Sequence, residues 1–188
     1  LKNELRRSVR LAVVFGHQPK ILECLADAKV PFVYAYIGVK TEPFKGSAAY
    51  LDFSRNAAFG AFVAHCVRAG VSHVCVVGKV KCYTPLGSLL EKAGIRVSRI
   101  EVDAAFGQER VDSLERETCR AIDSLFERHG FKWLPDVIFV EDDYQATGAL
   151  FSLLSHGVKL PDDVRFATTK NCGNGPAMSI PLTCVEFN

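Results

Sequence analysis

The feature that most constrains this chain is an alternation of short apolar runs with longer amphipathic stretches. Seven runs rich in Val, Ile and Phe predict strands: RLAVVF, PFVYAYI, HVCVVGK, VSRIEVDA, DVIFVED, VRFATT and LTCVEF. Runs of this kind are typical of parallel strands that helices cover on both faces. The sequence therefore predicts an α/β fold with a parallel sheet doubly wound by helices.

The stretches between these runs have helical periodicity. The predicted helices are residues 19–29, 54–70, 86–94, 112–130 and 143–157. Three of them stop at a glycine, Gly70, Gly94 or Gly130, as expected for left-handed C-caps. Asp112 and Glu115 have the spacing of a capping box, which predicts that the fourth helix begins at Asp112.

Composition narrows the class of protein. The chain has 188 residues and a formal charge of +2, without the basic patch that a nucleic-acid groove needs. Its seven cysteines form no C-x-x-C pair, which indicates reduced thiols and a cytoplasmic location. No secretion signal, membrane-spanning run or hydrolase motif is visible, and we expect no enzyme activity, no cofactor, no metal and no membrane partner.

The segment 38–50, GVKTEPFKGSAAY, is the best candidate for a crossing between two lobes because it is rich in Gly, Pro, Lys and Ser. Residues 1–49 then supply two predicted strands, too few for an independent sheet. Residues 50–188 supply five strands and the helices to cover them. We therefore expect a partial N-terminal lobe (1–49) and a near-complete C-terminal lobe (50–188).

Three consecutive carboxylates, Glu141, Asp142 and Asp143, follow the strand DVIFV. Ligands of doubly wound sheets collect at the carboxyl ends of strands, so this cluster stands at the expected site. Asp143 is predicted to cap the following helix, and Asp142 to face the crevice. An enzyme that uses Asp142 as an acid catalyst remains an alternative. A phospho-receiver domain is not expected, because it needs further strands with a phosphorylated aspartate and a lysine and 45 residues follow Asp143.

The stretch 135–188 resembles the effector-binding domain of the LacI/GalR family of bacterial transcription regulators. The family pattern is carried without a gap by Pro135, Asp142, Asp143, Ala146, Gly148, Ala149, Gly157, Pro161, Asp163, Val164, Pro181, Leu182 and Thr183. Upstream, KVPFVYAYIG and YLDFSRNAAFGAFVAHCVRAGVSHVCVVG are more loosely similar to family segments.

The resemblance implies a type I periplasmic-binding-protein-like fold, with two lobes around a cleft that takes a small effector, a carbohydrate or sugar phosphate. It also implies operator DNA as a partner, bound through a helix-turn-helix headpiece that this chain lacks, so that the chain is expected to be a truncated form. A homodimer is implied through the helix 143–157 and the loop 172–180, with Phe151, Met178 and Ile180 as candidate contacts. The alternative is the solute-binding protein of a sugar ABC transporter.

Five residues are predicted to bind the ligand. Asp142 is the expected hydrogen-bond acceptor, and Lys170 the expected donor or anion partner. Asp52 and Phe53 come from the lobe crossing, and Tyr83 is a candidate for stacking on a sugar face.

One departure from the family pattern bears on the ligand. Thr168, Thr169 and Lys170 stand where members with known effectors have Gly-x-Asp. Replacement of a carboxylate by an ammonium group favours an anionic ligand. Two other interpretations stay open: the pocket has lost its ligand, or Lys170 pairs with Asp142 or Glu141.

Overall fold

The computed structural model describes most of the chain as two compact units. The described residues are 8–15, 18–36, 45–52, 56–79, 85–102, 110–171, 180 and 182–187. The units are Leu1–Arg55 and Asn56–Asn188. Two residues in the predicted ligand site, Phe53 and Tyr83, lie outside the described residues, as does Met178 of the predicted dimer contact.

The first unit is a three-stranded parallel sheet with one helix. Its elements are β1 (Ala12–Phe15), α1 (Pro19–Asp27), β2 (Phe32–Tyr36) and β3 (Ala49–Asp52), with the strand order β1-β2-β3. Proline at the first position of α1 suits a helix start, because the first N–H groups have no intrahelical acceptor. Strand β3 was not predicted: it overlaps the end of the segment 38–50, which is rich in Gly and Pro, and it has no β-branched residue.

The second unit is a five-stranded parallel sheet with helices between the strands. Its elements are α2 (Asn56–Arg68), β4 (His73–Lys79), α3 (Leu86–Lys92), β5 (Arg96–Val102), α4 (Arg110–His129), a 3-10 turn (Gly130–Trp133), β6 (Val137–Val140), α5 (Asp143–Ser155), β7 (Arg165–Asn171) and β8 (Thr183–Phe187). The strand order is β5-β4-β6-β7-β8. All five strands that the sequence predicted in this region are present.

Helices cover both faces of this sheet, as the apolar runs predicted. On β6, Ile138 and Val140 pack in one cluster with α4 and α5, while Val137 and Phe139 pack in a second cluster with α2 and α3. Every side chain of β6 is buried. Since successive residues of a strand face opposite sides, a strand buried on both faces has no polar position. The predicted doubly wound α/β architecture is confirmed for this unit.

The sequence predicted the C-terminal ends of the helices better than their N-terminal ends. Gly70 and Gly94 have φ values of 65° and 78°, which confirms the predicted left-handed caps. The predicted capping box is wrong, because α4 begins at Arg110 and Asp112 already lies inside the helix. In the part of the chain that the structure describes, no helix is long and apolar enough to cross a membrane.

Helices α4 and α5 pack closely against the same face of the sheet. Their contact is close at Gly148, where a Cβ atom would lie 2.8 Å from the Glu115 carbonyl carbon. Further along, Asp123 of α4 accepts hydrogen bonds from Ser152 and, at 3.1 Å, interacts with His156 Nε2. The contact with Glu115 means that this approach of the two helices requires glycine at position 148.

Candidate functional site

The candidate site is the carboxyl edge of the five-stranded sheet, where the strand order reverses. Strand β4 comes first in this sheet, and the next two strands, β5 and β6, lie on either side of it. In open α/β sheets the connections diverge at such a switch point and leave a crevice outside the carboxyl ends of the strands. Strand β4 ends at Gly78 and Lys79, and β6 is followed by Glu141 and Asp142. The acidic triplet therefore stands at the switch point.

Glu141 is a buried carboxylate at this edge, with 8% of its surface exposed. Its backbone is held on both sides: its N–H donates to the Val77 carbonyl at 2.9 Å, and its carbonyl accepts from Thr169 Oγ1 at 2.8 Å. Its carboxylate lies over Gly78, where a Cβ atom would come within 2.9 Å of Glu141 Cδ. Glycine at position 78 thus leaves the space that the Glu141 carboxylate occupies.

Asp142 has the conformation of a helix N-cap. Its backbone is extended, with φ −139° and ψ 133°, and its Oδ1 accepts from the Tyr144 N–H at 3.1 Å. Asp143 is the first residue of α5, and its Oδ1 lies 3.1 Å from the same N–H. The prediction that Asp143, rather than Asp142, caps the helix is wrong. The physical reason is that an N-cap residue lies outside the helical backbone, so its side chain can turn back to the first free N–H groups.

Lys170 lies on β7 opposite Glu186 of β8, and its Nζ is 2.7 Å from Glu186 Oε1. Sequence reasoning did not consider this partner, because the pairing depends on the register between the two strands. Both side chains are partly exposed, so the ion pair contributes little to stability, on the order of 0–1 kcal/mol.

Two buried threonines fix β7 beside the acidic triplet. Thr168 Oγ1 donates to the Val140 carbonyl at 3.0 Å, and Thr169 Oγ1 donates to the Glu141 carbonyl. Each side chain therefore satisfies a backbone acceptor at the end of β6, where the strand ladder stops. These two bonds tie the strand that carries Lys170 to the end of β6, where Glu141 and Asp142 follow.

The remaining predicted site residues are placed less fully. Asp52 ends β3 at the carboxyl edge of the first unit's sheet, and the structure describes its backbone only. Glu141 is a candidate that sequence reasoning left out of the site. The available signal was a glutamate directly after a wholly apolar run, because such a residue sits where the strand leaves the core.

The chemistry of this edge suits a polar ligand. Carboxylates accept hydrogen bonds and an ammonium group donates three, so the set can bind hydroxyl groups and, through Lys170, an anionic group. Among the described residues, no group of three or more His, Cys, Asp or Glu side chains could hold a metal ion.

Comparisons with known proteins place this geometry in a fold family. No family model matches the chain, and no curated protein matches it. Among solved structures, a LacI family transcriptional regulator from Bifidobacterium animalis subsp. lactis has a TM-score of 0.72 at 14% identity over 98% of this chain. A LacI family transcriptional regulator from Arthrobacter sp. FB24, in complex with lactose, has a TM-score of 0.67 at 17% identity over 100% of this chain. The fold is that of the LacI-family regulators.

The LacI-type fold is shared with a transport protein. A carbohydrate transporter from Acidothermus cellulolyticus 11B, in complex with myo-inositol, has a TM-score of 0.64 at 15% identity over 90% of this chain. The chain spans 66% of the length of each of the two regulators and 57% of the transporter. At these identities the likeness concerns the fold.

Proposed function

We propose that this chain is the ligand-sensing part of a LacI-type transcriptional regulator and that its ligand is a carbohydrate or a sugar phosphate. The observation that carries the proposal is the buried Glu141 carboxylate beside Asp142 at the switch point of this fold. Two of the structural neighbours hold lactose or myo-inositol, which supports a polyhydroxylated ligand. Operator DNA is the second proposed partner, bound through a headpiece outside this chain. Such a regulator works in the cytoplasm.

Each polar group has a proposed role. Glu141 and Asp142 accept hydrogen bonds from ligand hydroxyls. Lys170 exchanges its surface partner Glu186 for an anionic group of the ligand, which requires little energy because exposed ion pairs are weak. Asp52, Phe53 and Tyr83 stay in the proposal as further ligand contacts.

A thermal-shift screen with lactose, myo-inositol and glucose 6-phosphate tests the proposal. A ligand that binds only the folded state stabilises it by about 2.7 kcal/mol at one hundred times its Kd, so Tm rises with ligand concentration. We expect Glu141→Gln to abolish the rise, and Glu91→Gln, at an exposed position of α3, to preserve it. A panel in which no sugar raises Tm, or a Glu141→Gln variant that still responds fully, would contradict the proposed site.

Lys170 decides between the two ligand classes. If the ligand is a sugar phosphate, Lys170→Ala weakens its binding and leaves the binding of neutral sugars nearly unchanged. If the ligand is a neutral sugar, the same variant binds it as the wild type does. Isothermal titration with matched pairs of sugar and sugar phosphate measures the difference.

In the regulator, the ligand acts by shifting a population. A ligand changes operator affinity only if it binds the two conformations of the protein with different affinities, and the effect is reciprocal. We therefore expect operator DNA to change the Kd of the ligand by the same factor by which the ligand changes the Kd of the operator. Fluorescence anisotropy with the full-length regulator measures both.

We also propose that the chain forms a homodimer through α5. Tyr144, Phe151 and Leu154 are exposed on this helix at positions i, i+7 and i+10, which share one face, and Phe151 is 68% exposed. Ile180, predicted for the same contact, is partly buried. Phe151→Glu should halve the mass in sedimentation, while Val67→Glu, at an exposed apolar position on α2, should not. An unchanged mass for Phe151→Glu would reject this surface.

A solute-binding protein of a sugar transporter is the alternative, favoured by the likeness to the Acidothermus carbohydrate transporter. The gene sequence upstream of Leu1 discriminates between the two. A DNA-binding headpiece there supports the regulator, and a secretion signal supports the transporter. In either case we expect the sugar to be recovered unchanged after incubation, whereas turnover that Asp142→Asn abolishes would indicate an enzyme.

A further inference from the structure

Helix α5 meets helix α4 along a face of small and polar residues. Gly148 lies against the backbone of Glu115, and Ser152 donates to Asp123, so both residues stand on the side of α5 that faces α4. Gln145 precedes them by three and seven positions and therefore lies on the same side, one turn closer to the start of the helix. We call Gln145, Gly148 and Ser152 the α5 seam.

The C-terminal part of the α5 seam is anchored by hydrogen bonds. Ser152 Oγ donates to Asp123 Oδ1 at 2.5 Å, and His156 Nε2 lies 3.1 Å from the same oxygen. Burial raises the pKa of Asp123, but these hydrogen bonds and one from Cys119 outweigh it, so that the pKa is lowered. Asp123 is therefore a carboxylate at neutral pH, and hydrogen bonds to a charged acceptor are stronger than those to a neutral one.

The N-terminal part of the α5 seam carries a buried amide instead. Gln145 is 0% exposed, and in the part of the chain that the structure describes neither its Nε2 nor its Oε1 has a hydrogen-bond partner. A buried polar group without a partner loses its bonds to water and gains none in exchange. Gln145 therefore destabilises the conformation that buries it, which is the contact of the first turns of α5 with α4.

The two ends of the α5 seam thus act in opposite directions. The bonds to Asp123 hold the end of α5 on α4, whereas the Gln145 amide favours separation at the beginning of the helix, where water can then reach it. Gly148 lies between the two ends and has no side chain that interlocks the helices. Separation at one end can therefore occur while the other end stays in contact.

We propose that α5 has two positions, one docked on α4 along its whole length and one with its first turns withdrawn, and that Gln145 sets the population of the second. The docked position is the one described above. In the withdrawn position water binds the Gln145 amide, and the bonds to Asp123 keep the other end of the helix in place as a hinge. A minor state of this kind is populated at about 0.1–10%.

The movement of α5 reaches the carboxyl-edge site through Asp142. This residue caps the helix and therefore moves with its first turn. A ligand that contacts Asp142 binds the two positions with different affinities, and it shifts the population toward the one that it binds more tightly. The link to the ligand rests on the proposed function, whereas the movement of the helix does not.

Relaxation-dispersion NMR of the ligand-free protein tests the two positions, because it detects exchange on the microsecond-to-millisecond scale at single amides. We expect dispersion at the backbone amides of residues 144–148 and none at residues 153–156. Gln145→Met keeps the length of the side chain and removes the amide. It should flatten the dispersion and raise Tm by roughly 2–6 °C, because the docked position no longer buries an unpaired polar group.

Two further variants make the test directional. Ser152→Ala removes an anchoring bond, so it should increase the dispersion, extend it to residues 153–156 and lower Tm. Gln18→Met is the matched control, because Gln18 is exposed and water satisfies its amide. This control should leave both Tm and the dispersion of α5 unchanged.

Three results would overturn the proposal. They are the absence of dispersion throughout α5 in the wild type, dispersion that Gln145→Met leaves unchanged, and a Tm that Gln145→Met lowers. The last would mean that the amide is satisfied in the docked position. A panel in which no sugar raises Tm would contradict the proposed function alone, because the dispersion is measured without ligand.

Discussion

The two units of the chain differ in how fully the strands that the structure describes are buried. In the first unit, the buried cluster joins α1 to one face, through Val14, Phe32 and Tyr34. On the neighbouring position of β1, Val13 is 53% exposed. In the second unit, two separate clusters cover the two faces of a five-stranded sheet.

This difference shows what makes a parallel sheet self-sufficient. A strand such as β6, buried on both faces, contributes every side chain to a core, whereas β1 of the first unit buries Val14 and exposes Val13. Stability comes mainly from apolar surface removed from water. A strand such as β6 therefore contributes more to stability than β1 does. It also contains the complete switch point.

The largest expected effect comes from separating the units. We expect the fragment 56–188 to unfold cooperatively and the fragment 1–55 to show no cooperative transition, because a fragment of this size with a three-stranded sheet buries too little apolar surface. Thermal unfolding followed by circular dichroism measures this. A sigmoidal transition in the fragment 1–55 would show that this small sheet is stable by itself.

The next effect compares a buried strand position of the second unit with an exposed strand position of the first unit. Phe139 is fully buried and lies with its ring centroid 4.8 Å from that of Phe62. Phe139→Ala should lower the free energy of unfolding by about 3–5 kcal/mol, as is usual for a large cavity. Val13→Ala, at the exposed position of β1, should change it by no more than about 0.5 kcal/mol. Urea denaturation measures both, and similar values would remove the contrast between the units.

A smaller effect tests how closely helices α4 and α5 pack within the second unit. A Cβ atom at Gly148 would overlap the backbone of Glu115, so Gly148→Ala should destabilise the protein by about 1–3 kcal/mol. Gly60→Ala is the matched control, because nothing lies within 4 Å of its Cβ position in α2. That substitution should stabilise the protein by roughly 0.5–1 kcal/mol. A neutral Gly148→Ala variant would mean that the two helices can move apart.

The smallest effect concerns Asp136, which ties the start of β6 to β4. Its Oδ2 accepts from Ser72 Oγ and Ser72 N, both at 2.7 Å, and from His73 N at 2.9 Å. These bonds, those of Ser72 first, lower the pKa of Asp136 in the folded protein. A carboxyl group with a lowered pKa stabilises the fold above its ordinary pKa and loses this contribution as pH falls through the folded value.

Asp136→Asn should therefore destabilise the protein at neutral pH by less than Gly148→Ala does. The difference from the wild type should shrink as pH falls below the ordinary pKa of about 4. Urea denaturation between pH 7 and pH 3 measures it. A difference that grew on acidification would show that the hydrogen bonds do not favour the charged carboxylate.

Much of this architecture could be predicted because its signals are local. The run HVCVVGK coincides with β4, and the glycines after α2 and α3 end those helices as expected. The strand AYLD was missed because four residues without a β-branched side chain carry no period that distinguishes a strand from a loop. The start of α4 was misplaced because a capping-box spacing also occurs inside helices.

The sequence by itself determined the α/β alternation, the double cover of the second sheet and the position of three carboxylates after a strand, because apolar periodicity is a property of neighbouring residues. Tertiary structure alone decided that Asp142 caps α5, that Glu141 fills the space above Gly78 and that Lys170 meets Glu186. Those outcomes depend on backbone geometry at one residue and on strand order and register between distant ones, which no local pattern contains.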